Sequence, residues 1–453
     1  MIAGHNTNGA DLREQIRPIV LPPKNGDSLD AFLAYDAPMS QKAQKREVIV
    51  IGGGAAGMMA AGIAASRGKH VLLLEKNAKL GEKLAISGGG RCNILNAEED
   101  EKTLLAHYGE AEKFLYSAFA RFGMQDAYAF FESRGLPLMV EARKRAFPQS
   151  ERARDVVDFF RTFLKEGGVE VKLRAPVTKI KRKGGRIDAI EADGVVYQAD
   201  AYIFATGGLS RPETGSTGDG FTWLADLGHT VEKPTPTIVP LKAKESWLKD
   251  AAGVSIPDAK LTYYVDGVRS FSRTGPLLFT HTGISGPVVL NSSGKVAGLF
   301  EEGDVTARID LFPKLDLGIL DRMLVAYFEG HKNKTLSNAL KGYLPAGMSD
   351  IVLGLLPDNE AGTKVHSLTK EGRRTLVELL KGLPLTITGL MGFDKAVVAD
   401  GGVVLTEVDM RTMRSTKIEN LYILGDLLHI SRPSGGYSLQ LCWTTGFVAG
   451  NAV

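Results

Sequence analysis

An α/β protein with a parallel sheet is the fold class this sequence predicts, and three observations predict it. Val48-Ile49-Val50-Ile51 is a short apolar, β-branched run, the pattern of a buried strand. Gly52-Gly53-Gly54-Ala55-Ala56-Gly57 follows at once and opens a stretch of small residues. Val71-Leu72-Leu73-Leu74 is a second buried run, and it ends on Glu75, 18 positions beyond Gly57 (75 − 57). Strand, glycine turn, helix, strand and acid in that order define a Rossmann-like dinucleotide-binding unit.

The remaining elements follow in order. Residues 1–46 read as an N-terminal extension, with one short helix over Asp27–Leu33. The first helix is predicted from Ala55 to Arg67, with Gly68 as its C′ residue. Lys79 to Asn93 contains Ser87-Gly88-Gly89-Gly90-Arg91-Cys92-Asn93, a loop whose backbone amides can come close to a ligand. Residues 101–166 read as mainly helical, with Arg143-Lys144-Arg145 a solvated basic loop. Short strands are predicted over 169–173, 177–182, 186–192 and 195–197, with a hairpin turn at Lys183-Gly184-Gly185. A buried strand, Ala201 to Ala205, closes on Thr206-Gly207-Gly208. Residues 47–237 therefore form the first part of the nucleotide domain. Alternating runs mark a β-rich insertion over 238–312, and helical periodicity a further segment over 313–385. Residues 386–453 return to the nucleotide domain. There Ala396–Ala399 and Val403–Leu405 read as strands flanking a turn at Asp400-Gly401-Gly402. Leu421–Leu424 ends on Gly425-Asp426, and Gly435-Gly436-Tyr437-Ser438-Leu439 opens a last helix to about Ala452.

Bulk properties narrow the function classes. Lys and Arg total 55 against 52 Asp and Glu, too balanced to indicate a nucleic-acid partner. The two cysteines, Cys92 and Cys442, form no disulfide framework and no metal-ligand spacing, so no metal is expected. No apolar run reaches the ~18 residues of a membrane span, and the first ten residues lack a secretory h-region. A soluble, cytoplasmic protein acting on a small molecule is the expectation.

The motifs then choose a cofactor. Gly52 and Gly54 leave room for a pyrophosphate, Gly57 allows close packing of helix on strand, and the helix N-terminus attracts the diphosphate charge. Glu75 would accept from ribose hydroxyls, which disfavours the 2′-phosphate of NADP. That leaves NAD or FAD. The carboxyl end of the chain favours FAD. Asp426 can present a carboxylate to a polyol such as the ribityl chain. The helix beginning near Tyr437 would aim its positive end at the charge of a reduced flavin.

At this level the chain resembles the bacterial NAD(P)/FAD-dependent oxidoreductases of the YhiN/BaiN, or aminoacetone-oxidase, type. The strings that carry the resemblance are Ile51 to Gly57, Ile86 to Asn93, Ala205 to Gly208, Thr214 to Gly220, Phe279 to Pro287 and Gly435 to Tyr437. It covers about residues 47–453. The resemblance implies a Rossmann-like FAD-binding domain of the GR2 type, interrupted by a β-barrel-like domain and a small helical domain. It implies that Gly88 to Asn93 wrap near the isoalloxazine ring and that the Val177 backbone lies by the adenine. It extends the cofactor-binding set to Lys76 and Lys83. The chain departs from the family pattern at its end: Asp426 stands where Glu is common, Ser438 where Asn is common, and the loop His429-Ile430-Ser431-Arg432-Pro433 lacks the usual Asp and Gly.

The catalytic candidates are Tyr437, Arg91 and His281. Tyr437 could shape or protonate a substrate, Arg91 could pair with an anion, and His281 could face the flavin from the insertion. No catalytic base is required, because a flavin carries hydride chemistry itself. The leading expectation is an FAD-dependent oxidoreductase that reduces a C=C or C=N bond with NAD(P)H. Since the sequence holds no second dinucleotide motif, NAD(P)H would be a transient donor. The alternatives are an amine oxidase passing electrons to oxygen, a non-catalytic nucleotide-binding protein on the same fold, and a flavin-dependent RNA-modifying enzyme.

Overall fold

The computed structural model describes residues 46–356 and 360–453. The predicted helix over Asp27–Leu33 lies outside the described residues. The chain divides into two compact units, one of residues up to Thr206 with Leu405–Gly425 and Gly435–Val453, the other of Gly207–Val404 with Asp426–Ser434.

The first unit is built on a five-stranded parallel sheet. Its spatial order is Leu421–Ile423, Ala199–Phe204, Arg46–Ile51, Val71–Leu74, Glu170–Lys172. The central strand, Arg46–Ile51, pairs in parallel with both neighbours, Val48 facing Val71 on one side and Ala201 on the other. Its last four residues are buried, as a strand covered on both faces must be. Helix Ala55–Ser66 lies over it, and Gly68 takes the left-handed conformation expected of C′. The last helix, Tyr437–Ala452, packs on that first helix through two glycines. A Cβ at Gly446 would stand 2.6 Å from the Ala56 carbonyl oxygen, and one at Gly450 2.6 Å from that of Ala60. Trp443 anchors the other face, stacked on Phe160 with ring centroids 5.1 Å apart.

A small antiparallel sheet of Leu95–Asn96, Leu138–Glu141 and Arg145–Pro148 interrupts the stretch read as mainly helical. These strands hold two to four residues, too few to display a period. The basic cluster is the turn of this hairpin, where Lys144 bonds Glu98 at 2.7 Å and Arg145 meets Glu141 at 3.5 Å.

In the second unit six strands close into a barrel: Leu241–Ala243, Gly283–Ser285, Val268–Thr280, Ser255–Val265, Val305–Asp310 and Leu383–Leu390. The predicted insertion is thus a barrel, and its sixth strand arrives only after the helical segment. Leu383 pairs with Ile309 and Leu390 with Leu241. The barrel and the helices share one apolar core that includes Tyr263, Phe279, Leu324 and Leu376. A separate antiparallel pair joins Val231–Thr237 to Val398–Val403. The second of these is a single strand that runs straight through Asp400-Gly401-Gly402, where the sequence suggested a turn. Side chains would not fit there: a Cβ at Gly401 would lie 2.6 Å from Pro234 Cα, and one at Gly402 2.5 Å from the Leu427 carbonyl oxygen.

Candidate functional site

The site in the first unit begins at the end of the central strand. A Cβ at Gly52 would sit 2.5 Å from the Ala205 carbonyl oxygen, and one at Gly57 only 1.9 Å from the Gly52 carbonyl oxygen. Those two glycines are demanded by the protein's own packing. Gly54 differs: nothing lies within 4 Å of its Cβ direction. It caps the first helix without a side-chain hydrogen bond, and the first turn carries no acid. The helix therefore presents its N-terminal amides and partial positive charge to open space, a place for a diphosphate.

Glu75 is buried, and both of its oxygens are held by main-chain amides, of Gly53 at 2.7 Å and Asn77 at 2.7 Å. Burial pushes its carboxyl up, while the Asn77 and Gly53 amides pull it down. A carboxylate offers about four acceptor positions, so it can hold the glycine turn and still receive a ribose hydroxyl. The Ala175 amide donates to the Glu75 carbonyl at 2.9 Å, which brings the start of strand Val177–Lys183 close to this acid. Lys76, next to Glu75 in sequence, and Lys83, on the short helix Glu82–Ile86, belong to the same unit.

Thr206, at the end of the neighbouring strand, has a buried hydroxyl with no hydrogen-bond partner. It is next to the backbone that Gly52 approaches, since Gly52's Cβ direction ends 3.0 Å from Thr206 Cα. An orphaned hydroxyl beside an open helix N-terminus fits a bound phosphate or ribose oxygen.

The glycine loop is equally open. Gly88, Gly89 and Gly90 take φ of 56°, 68° and 88°, and nothing lies within 4 Å of the Cβ directions of Gly89 and Gly90. Its flanks are fixed. The Ser87 hydroxyl donates to the Leu84 carbonyl at 2.7 Å. With its side-chain amide turned to the orientation that its neighbours' donors and acceptors require, Asn93 donates to the Leu95 and Ala146 carbonyls at 3.1 Å each and accepts from the Gly436 amide at 3.0 Å. Cys92 is fully buried, and burial pushes its thiol up to about 12, so it is a packed filler rather than a nucleophile. Arg91 pairs with Glu141 and Glu151 and lies over the Phe147 ring, 4.3 Å from its centroid. Its guanidinium is committed to the protein itself, and it pins the loop rather than reaching for an anion.

The last helix also begins on a glycine, but a crowded one. Gly436 has φ +104°, and a Cβ there would stand 2.2 Å from the Leu95 carbonyl carbon. No side chain caps the helix and no acid lies in its first turn. Residues that the motifs did not single out hold this terminus. Asn96 donates to the Gly435 carbonyl at 3.1 Å, Tyr108 donates to the Tyr437 carbonyl at 2.9 Å, and the Trp443 indole donates to the Ile94 carbonyl at 2.9 Å. The Tyr437 ring is 6% exposed, tilted against His107 at 4.7 Å and edge-on to Tyr108 at 6.0 Å. Burial, aided by the Glu98 charge, pushes its phenol up to about 12. Ser438 and Leu439 follow in the first turn. Gly425 sits against Ala56 and Cys442, and its amide donates to the Thr445 hydroxyl at 3.2 Å.

The other predicted residues belong to the second unit. His281 is exposed on the tight turn between two barrel strands. Gly207, Gly208 and Asp426 lie there too, with a Cβ at Gly208 ending 3.4 Å from that of Asp426. Asp426 is ion-paired with the buried Arg432. Asp400, next to this pair, escaped the sequence reading because its partners are some 30 residues away in the chain. The signal was an arginine set in the short loop Leu427 to Pro433, beside His429 and Ser431.

Among the described residues, no group of three or more His, Cys, Asp or Glu side chains is disposed to hold a metal, and no helix is long and apolar enough to cross a membrane.

A helix N-terminus that faces open space, a glycine cradle and a buried acid at the end of the second strand, on one parallel sheet, fit a dinucleotide-dependent flavoprotein. The model of the HI0933-like protein Rossmann domain matches residues 46–452, and the chain belongs to that family. It is an FAD-dependent oxidoreductase. The chain is 32% identical over 412 residues to a 3-dehydro-bile acid delta(4,6)-reductase of Clostridium scindens, covering 89% of this chain and 98% of that protein. It is 28% identical over 409 residues to a ribosomal RNA dihydrouridine synthase of Escherichia coli, covering 89% and 97%. Among solved structures, the 3-ketosteroid-delta4-(5alpha)-dehydrogenase of Rhodococcus jostii superposes with a TM-score of 0.52 at 14% identity, over 91% of this chain and 98% of that one, and shares the fold.

Proposed function

We propose that this flavoprotein adds two hydrogens across a carbon–carbon double bond conjugated to a carbonyl, in a small organic substrate, with NAD(P)H as a transient electron donor. One observation carries the reading. Two relatives that span nearly their whole length and most of this chain have names that describe saturating such a bond, in a 3-oxo bile acid and in uridine.

FAD, when bound, supplies the hydride chemistry, at N5 of its ring. In this reading the chain's own residues do the rest. The amides of the first helix, opened by Gly54, and the Thr206 hydroxyl take the diphosphate. Glu75 takes the adenosine ribose, and the Gly88–Gly90 cradle admits the ring. The N-terminus of the helix Tyr437–Ala452 stabilises negative charge on the reduced ring. A phenol pushed up to about 12 keeps its proton, so Tyr437 is suited to hydrogen-bond a substrate rather than to protonate it.

The test is anaerobic stopped-flow reduction with NADH, NADPH and a panel of amines, followed by reoxidation with cyclohexenone. Bleaching of the flavin by a nicotinamide and its recovery with the enone are expected. Silence toward both nicotinamides overturns the reductase reading, and bleaching by an amine moves the protein to the oxidase class.

The Escherichia coli relative favours a second reading, in which the carbonyl-conjugated bond belongs to a uridine in RNA. Salt-dependent binding of RNA by the holoenzyme, with a log–log slope reflecting phosphate contacts, is its signature.

A further inference from the structure

The glycine loop is closed at its base, where the Cys92 amide donates to the Ser87 carbonyl at 3.0 Å. Asn93 follows directly. Its backbone packs on the loop, since a Cβ at Gly88 would stand 2.8 Å from the Asn93 nitrogen. Its side chain reaches three backbone groups, the carbonyls of Leu95 and Ala146 and the amide of Gly436. An asparagine amide has two N–H donors and one carbonyl oxygen. Both donors are spent on the protein and the oxygen is engaged by it, so the side chain serves the scaffold. The Gly436 amide is one of the N-terminal groups that a helix cannot satisfy from within. Its neighbours are gripped in the same way. Asn96 donates to the Gly435 carbonyl at 3.1 Å and to the Arg143 carbonyl at 3.2 Å, and Tyr108 donates to the Tyr437 carbonyl at 2.9 Å. Three consecutive residues at the start of the last helix are therefore each held by one side chain from the segment 93–108. Of the three side chains, only that of Asn93 springs from the base of the glycine loop. All of these residues belong to the first unit.

We propose that Asn93 is a positioning residue. Without touching the cofactor, it locks the start of the last helix to the base of the glycine loop, and so sets how strongly reduced flavin is favoured over oxidised. This rests on the reading that the N-terminus of that helix stabilises negative charge on the reduced ring. A helix terminus acts on a charge only at short range, so its effect depends on the helix start being held at a fixed place beside the loop that admits the ring. The oxidised ring is neutral and gains little from that field, whereas the reduced, anionic ring gains most. Loosening the helix start therefore weakens the reduced state selectively, and loss of a direct ligand would weaken both.

The experiment uses the full-length protein, with and without FAD, as wild type and as N93A, N420A and S438D. Asn420 is a matched control, because its side chain bridges the amide and carbonyl of the buried Ile187 at 2.9 Å each, at the amino end of strand Leu421–Ile423. Hydrogen exchange of the peptide spanning Gly436, read by mass spectrometry on the apoprotein, should quicken in N93A and not in N420A. Redox titration against a reference dye should show N93A favouring reduced over oxidised flavin about tenfold less, a fall of about 30 mV for the two-electron couple. N420A should keep the wild-type potential. S438D sets an anion in the first turn of the helix and tests the helix reading by itself, since it should lower the potential whatever Asn93 does. Unchanged exchange in N93A, or a wild-type potential in N93A beside a lowered one in S438D, overturns the proposal and leaves the helix reading standing. Wild-type potentials in both N93A and S438D remove the helix reading, and the proposal with it. Should N93A not fold, N93S, whose side chain is too short to span the three contacts, carries the same two measurements.

Discussion

Gly54 and Gly57 stand three residues apart on the same turn, and the structure assigns their missing side chains to opposite causes. A Cβ at Gly57 would lie 1.9 Å from the Gly52 carbonyl oxygen. Carbon–oxygen contacts begin at roughly 3.3 Å, so the helix would have to lift from the strand by about 1.4 Å. The same helix is held from above by the backbone contacts of Gly446 and Gly450 and has nowhere to go. Gly57→Ala should therefore cost about 3 kcal/mol or more, at the upper end of overpacking penalties. Gly54→Ala meets nothing within 4 Å, and its φ of −84° suits any residue. The apoprotein should lose about 0.5 kcal/mol or less, the small preference for glycine over alanine at an N-cap. Its methyl group would stand where the diphosphate belongs, so FAD affinity should fall at least tenfold, about 1.4 kcal/mol. Urea melts of the apoproteins and titration of FAD by quenching of flavin fluorescence separate the two effects. A Gly54→Ala protein that binds FAD normally, or a Gly57→Ala apoprotein as stable as wild type, would refute this division of the turn.

Three further outcomes are expected. Tyr108→Phe removes the donor to the Tyr437 carbonyl in a buried site, should cost about 1 kcal/mol in denaturant melts, and should weaken FAD binding through the loosened helix start. Cys92 should resist alkylation in the native protein at pH 8 and react only on unfolding, because its thiol is fully buried and pushed up to about 12; mass spectrometry of the labelled peptide reads this directly. Tyr437 is raised on folding, so its contribution to stability is complete below pH 10 and is lost as pH climbs toward about 12; Tyr437→Phe should flatten that part of the stability–pH curve.

The parallel core was legible because each of its strands announces itself locally. Val48 to Ile51 and Val71 to Leu74 are continuous apolar runs, and the glycines between them have one structural meaning in that setting. The barrel was legible only in part. Its first five strands lie in the stretch that alternates, but the sixth, Leu383–Leu390, pairs with Val305–Asp310 across the helical segment, and no local signal encodes that partner. Asp400-Gly401-Gly402 has turn composition, yet it is strand, because the glycines answer to Pro234 and Leu427 rather than to a reversal of the chain. In the site, the glycine turn and the acid that ends the second strand could be read from spacing. The supporting shell could not: Asn96, Tyr108 and Trp443 act through backbone atoms far away in sequence, which no motif records. Arg91 looked available because its two glutamates are 50 and 60 residues away.

The contact between the first helix and the last has a consequence for biosynthesis. Helix Ala55–Ser66 emerges early from the ribosome, while the helix that covers it, Tyr437–Ala452, follows roughly 380 residues later (437 − 55 = 382). At about 5–20 residues per second, the glycine turn waits some 20–80 seconds with its small-residue face exposed. A chain stopped before Tyr437 would carry the glycine fingerprint without the helix that packs over it. The two surfaces that the glycine contacts join are thus made at widely separated times.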